Sequence, residues 1–169
     1  MNADLQNRTG LSGLVRRMCT VWAMVGGAVL LAVVMVNVVS VVGAATIGKA
    51  FPGDFELTEI GVAIAAFSFL PFAQINGLNV TADIFTARAS PRWLAVFGLL
   101  AGLVALIFSV LLLWRMYYGM LDQKEYDYTT AILQIPMWWG YAGALVSLVL
   151  LILAAFTSLI EAMSGLSGR

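Results

Sequence analysis

Four apolar runs, each long enough to cross a bilayer and separated by short polar stretches, set the pattern of this chain. They cover about residues 21–42, 57–75, 93–114 and 136–160. Each holds roughly 20 residues, the number a helix needs to cross a hydrocarbon core. The pattern predicts an all-α integral membrane protein of four transmembrane helices with short loops, forming a single membrane domain over residues 1–169. A cleaved leader is the competing reading of the first run, because Gly43, Ala44 and Ala45 resemble a small-residue cleavage site. Leader cores hold only about 7–15 apolar residues and further spans follow, so a retained helix is the better reading.

The punctuation between the runs adds detail. Gly48, Lys49, Pro52 and Gly53 mark a short loop over residues 44–54. Pro71 lacks an N–H and is expected to kink the second helix or end its regular part. The stretch TADIFTARASPRW mixes apolar positions with arginines, which suits a short interfacial helix between the second and third spans. Trp93 and Trp114 bracket the third span as interfacial anchors, and Gly98 and Gly102 give it a GxxxG spacing for close helix approach. Residues 115–134 form the most polar loop, and Pro136 is expected to open the fourth helix from its first turn.

Composition narrows the class. The chain is 62% hydrophobic and only 11% charged, too few charges to keep the surface of a soluble domain wet. Its formal net charge of +0 argues against a nucleic-acid partner. Histidine is absent, which removes bis-histidine haem ligation, histidine zinc sites and histidine general bases. Cys19 is the lone cysteine and reads as a small apolar residue near the membrane surface. If the N-terminus is cytoplasmic, Arg8, Arg16, Arg17, Arg88, Arg92 and Arg169 lie inside, with Lys49, Arg115 and Lys124 outside. That distribution obeys the positive-inside rule and places both termini in the cytoplasm.

Candidate chemistry is sparse. The central parts of the spans carry no ionisable group, whereas membrane enzymes and pumps usually carry one. Ser40, Ser68, Ser109, Ser147 and Thr157 read as side chains bonded back to their own helices. Asn37 reads as a hydrogen-bonding contact between helices. Glu56 and Glu59 share a face at the start of the second span; Glu56 fits a charge favoured by the positive helix N-terminus. Glu59 is either the same or a contact for another subunit. Asp122, Glu125 and Asp127 are too few for a calcium cage and read as solvated loop charge. No nucleophile has a base beside it, so the chain is not expected to be an enzyme, and no cofactor or metal is expected on it.

Three motifs in order carry a resemblance. They are Glu56-Leu57 at the start of the second span, Gly77-Leu78-Asn79-Val80-Thr81-Ala82-Asp83 at its exit, and Ile135-Pro136-Met137-Trp138-Trp139-Gly140-Tyr141 at the start of the fourth. Over about residues 21–156 the chain resembles the small membrane subunit of tripartite ATP-independent periplasmic (TRAP) transporters, the DctQ-like component. It departs from that family at Asn79, where histidine is common, so a role needing a titratable group there is lost.

The resemblance implies a bacterial or archaeal inner-membrane complex. A periplasmic binding protein captures an organic acid, and a large multi-spanning subunit carries it with sodium. The small subunit scaffolds that partner, and sodium belongs on the large subunit. Candidate subunit contacts are Glu59, Gln74, Asn79, Asp83, Arg88, Trp138 and Trp139. The alternative is a four-helix membrane anchor of a respiratory or quinone-linked enzyme, which the missing histidines disfavour.

Overall fold

The computed structural model describes residues 10–78 and 91–167. Four helices fill them: α1 (Leu11–Ile47), α2 (Asp54–Ile75), α3 (Pro91–Glu125) and α4 (Trp138–Ser167). All four are long and apolar enough to cross a membrane, so the protein is an all-α, multi-pass membrane protein. The interfacial helix expected between the second and third spans falls largely outside the described residues.

The helices overrun the apolar runs that announce them. At 1.5 Å per residue, the 37 residues of α1 reach about 55 Å and the 35 of α3 about 52 Å, well beyond a hydrocarbon core of about 30 Å. Leaving the bilayer does not oblige a helix to stop, because its hydrogen bonds are internal. The loop expected over residues 44–54 therefore starts only at Gly48, which ends α1 in the left-handed conformation (φ 67°). Half of the polar loop expected over 115–134 is likewise the last part of α3. Pro71 does not end α2, which runs on to Ile75. A proline is tolerated within a membrane helix where neighbouring groups and small backbone adjustments re-satisfy the backbone it frees. Pro136 stands two residues ahead of α4, bridged to Thr129 across a small loop.

Packing follows from where small residues allow approach. α4 is central, touching α2, α3 and, more lightly, α1; α2 also packs along α1. α3 packs chiefly on α4 and lies at the edge of the bundle. A Cβ on Gly26 of α1 would meet the Ser68 Cβ of α2 at 2.5 Å, and one on Gly143 of α4 would meet Ile64 at 3.0 Å. The GxxxG of α3 is half used: Gly102 packs against Leu159, while Gly98 has open space beside it. Cys19 is fully buried with Val15, Ile75 and Ala154, where α1, α2 and α4 meet. Outward, large apolar side chains are widely exposed, with Met24 at 70% and Leu31 at 67%. Water would not tolerate such a surface; lipid or another membrane chain would.

Candidate subunit interface

The polar side chains of the bundle gather at the two ends of α2. At its start, Gly53 takes the left-handed conformation (φ 83°), and the Leu133 side chain lies where a Cβ would stand. That fit lets the α3–α4 loop fold down over the helix. The loop is pinned by Met137 N–H donating to the Tyr128 carbonyl at 2.9 Å and Thr130 N–H to Ile135 at 3.0 Å. The Glu56 carboxylate then accepts the backbone N–H of Ile132 at 2.6 Å and of Leu133 at 2.9 Å. Glu56 is thus more than a charge at a helix start; it satisfies a loop 76 and 77 residues away. Beside it, the Ser40 hydroxyl donates to Asp54 and accepts the Phe51 N–H, joining α1 to the turn before α2.

One turn further in, Asn37 donates to Thr58 Oγ1 at 2.7 Å and to its own helix at Val33, which makes it the interhelical contact expected of it. Ser68, Ser109 and Thr157 bond back to Ile64, Ala105 and Leu153 of their own helices, also as expected. Ser147 does so too, but in addition accepts the Trp22 indole N–H at 2.8 Å and so links α1 to α4.

At the far end of α2 a single cation joins three helices. Arg16 of α1 donates to the Ile75 carbonyl at 2.9 Å and pairs with Glu161 of α4 at 2.9 Å. A guanidinium suits this task because its planar fork presents several donors at once. The Ile75 carbonyl is one of the unsatisfied groups at a helix C-terminus, where positive charge is also favoured. Arg16 had no role from the sequence beyond its part in the charge bias. The signal was available, in that Arg16 and Arg17 are adjacent and only one can face the bundle.

The expected contact residues that are described stand at both ends of α2. Glu59 is exposed on α2 at the Glu56 end. Trp138 and Trp139 lie at that same end, ring centroids 6.2 Å apart in a T-shaped pair. Trp139 is exposed, whereas Trp138 is half-buried and carries the Lys124 ammonium 5.8 Å from its ring centre. Gln74 lies at the opposite end, lining a crevice of about 310 Å³ with Gly98, Gly102, Ser158 and Glu161. Asn79, Asp83 and Arg88 lie outside the described residues. Among the described residues no three of histidine, cysteine, aspartate and glutamate gather as a metal site.

The arrangement can hold helices together and offer apolar sides to a partner. What it belongs to is decided by comparison with known families. The model of the DctQ component of tripartite ATP-independent periplasmic transporters matches residues 30–165. The chain belongs to this family. No curated protein and no solved structure matches it. Membership in the DctQ family makes the chain the small membrane component of a TRAP transporter. The family match spans α2, the α3–α4 loop and nearly all of α4, the parts through which Glu56 ties the bundle.

Proposed function

We propose that this chain is a non-catalytic scaffold for the large, multi-spanning subunit of a sodium-coupled importer of organic acids served by a periplasmic binding protein. The observation that carries the reading is the DctQ family match over residues 30–165. The geometry supports it. Helices tied to one another at both ends of α2, with broad apolar sides left open, suit a fixed frame better than a moving part. Sodium and substrate belong to the large subunit, which slides against this frame during transport.

The orientation follows the arginine bias. The Arg16 end faces the cytoplasm and the Glu56 end the periplasm, with both termini on the cytoplasmic side of the inner membrane. The α3–α4 loop then faces the compartment of the binding protein.

The test is co-expression with the large subunit and reconstitution with the binding protein in liposomes. The two membrane chains are expected to purify together and to take up substrate only under an inward sodium gradient. A small chain that runs alone and leaves transport by the large subunit unchanged when omitted would defeat the proposal.

A further inference from the structure

Two grooves on the bundle's sides differ in charge. The one between α1 and α2, of about 500 Å³, is lined by Leu30, valines, Asn37 and Thr58, and no lining residue is charged. The one between α1 and α4, of about 680 Å³, is lined from Leu14 to Trp22 and from Val146 to Leu153, and it is apolar except for Arg17. Leu14, Met18, Val21 and Val149 are exposed there. Trp22 is half-buried, and its indole N–H is taken by Ser147 at 2.8 Å, so the ring offers the groove only apolar surface. Arg17 is exposed and shares a face of α1 with Leu14 and Val21, three and four residues away. Its neighbour Arg16 is engaged by Ile75 and Glu161, whereas among the described residues no hydrogen bond or ion pair engages Arg17. Because Arg16 reaches the last residue of α2, Arg17 stands close to the level at which α2 ends. From Leu14 to Trp22 the groove follows α1 for about 12 Å at 1.5 Å per residue. A hydrocarbon core is about 30 Å thick, so the groove occupies one leaflet.

We infer that this groove holds an acyl chain of an anionic phospholipid, and that Arg17 binds the phosphate of its headgroup. The inference goes beyond the scaffold reading and takes from it only the orientation, which puts Arg17 on the cytoplasmic side. Length and charge choose the occupant. A partner's transmembrane helix would cross both leaflets, whereas this groove gives it walls in one. A second copy seated through the same face would set Arg17 against Arg17 across the two-fold axis, and the lining carries no acid to offset them. A zwitterionic headgroup brings its own ammonium to the phosphate and gains less from a guanidinium. An anionic phospholipid fits throughout. Its chain runs inward from the headgroup between apolar walls, and the planar guanidinium matches two phosphate oxygens at once. The cytoplasmic leaflet is also where basic side chains beside membrane helices meet anionic lipid.

The experiment places the full chain in phosphatidylcholine nanodiscs that contain increasing fractions of phosphatidylglycerol or phosphatidylcholine brominated on an acyl chain. Bromine quenches tryptophan only at close contact, and the difference between wild type and Trp22→Phe isolates the Trp22 signal. Brominated phosphatidylglycerol is expected to quench Trp22 at about fivefold lower mole fraction than brominated phosphatidylcholine. Arg17→Gln should abolish that preference while leaving Trp22 open to either lipid, and Arg17→Lys should keep part of it. Val149→Phe narrows the groove and should weaken quenching by both lipids with Arg17 still in place. Equal quenching by the two lipids in wild type, or a preference that survives Arg17→Gln, overturns the inference. So does loss of Trp22 quenching when the large subunit is bound, because protein then fills the groove. The wild-type comparison needs no variant and decides even if Arg17→Gln folds poorly. Failure to co-purify with the large subunit would defeat the scaffold reading and leave this result untouched.

Discussion

The two ends of α2 solve one problem in opposite ways. A helix leaves N–H groups unsatisfied at its start and carbonyls at its end, with partial charges to match. At the start the compensating acids, Asp54 and Glu56, are on α2 itself, and Glu56 reaches out to hold a loop. At the other end α2 carries no basic residue in its last turn, and the cation comes from Arg16 of α1. Both ends need distant parts of the chain: Glu56 draws on amides 76 and 77 residues away, and Arg16 on a carboxylate 145 residues away. The difference is that α2 supplies the charge at the Glu56 end and borrows it from α1 at the Arg16 end.

The largest change should come from a substitution that removes the condition both ends share. Gly26→Leu puts a side chain where Ser68 of α2 already lies, so α1 and α2 must part. Overpacking of this kind costs about 1–3 kcal/mol. Thermal unfolding in detergent, followed by tryptophan fluorescence, should show a lower midpoint. An unchanged midpoint would mean that α1 and α2 are not held at this distance, and the contrast between the ends would lose its basis.

Next comes the Glu56 end. Glu56→Ala leaves the Ile132 and Leu133 amides without their acceptor, and their hydrogen exchange should quicken about tenfold or more. Glu56→Gln keeps one acceptor oxygen and should fall between. The effect should stay within the α3–α4 loop and the first turn of α2. Exchange that quickens equally around Arg16 would show that the two ends are one unit.

How much of this was legible beforehand depends on how far apart the partners are. Four helices could be read because an apolar run of about 20 residues has few other uses. Their ends could not, because α1 and α3 carry helical hydrogen bonding past the apolar stretch. Asn37 was legible because an amide among valines needs a partner close by, and Thr58 is 21 residues away on the next helix. Glu56 was read only as a helix-start charge, because its partners are backbone amides, which every residue has and no side chain advertises. Arg16 and Glu161 are separated by 145 residues, and only the bundle brings them together.

A smaller effect is expected at the Arg16 end. Arg16 and Glu161 are each about a third exposed, so their attraction is screened by water, and Arg16→Ala should cost only about 1 kcal/mol. Arg16→Lys should recover part of it, since an ammonium can reach one partner more easily than two. Salt sharpens the contrast. Raising ionic strength toward about 1 M should narrow the gap between wild type and Arg16→Ala, because the screening length then falls to about 3 Å, the separation of this partly exposed pair. The exchange difference caused by Glu56→Ala should change less, because it depends on short hydrogen bonds to backbone amides.

The smallest effect lies between the ends. Asn37→Leu removes one interhelical hydrogen bond, worth about 0.6 kcal/mol on average between membrane helices. Thr58 would not be orphaned, because its hydroxyl already donates to the Asp54 carbonyl at 2.7 Å. Leucine would also sit comfortably beside Val33, Val34 and Val38 in the apolar groove. The melting midpoint should therefore shift less for Asn37→Leu than for Arg16→Ala in the same detergent. A larger shift would place the polar hold on α2 at its middle, and the division of labour between its two ends would have to be abandoned.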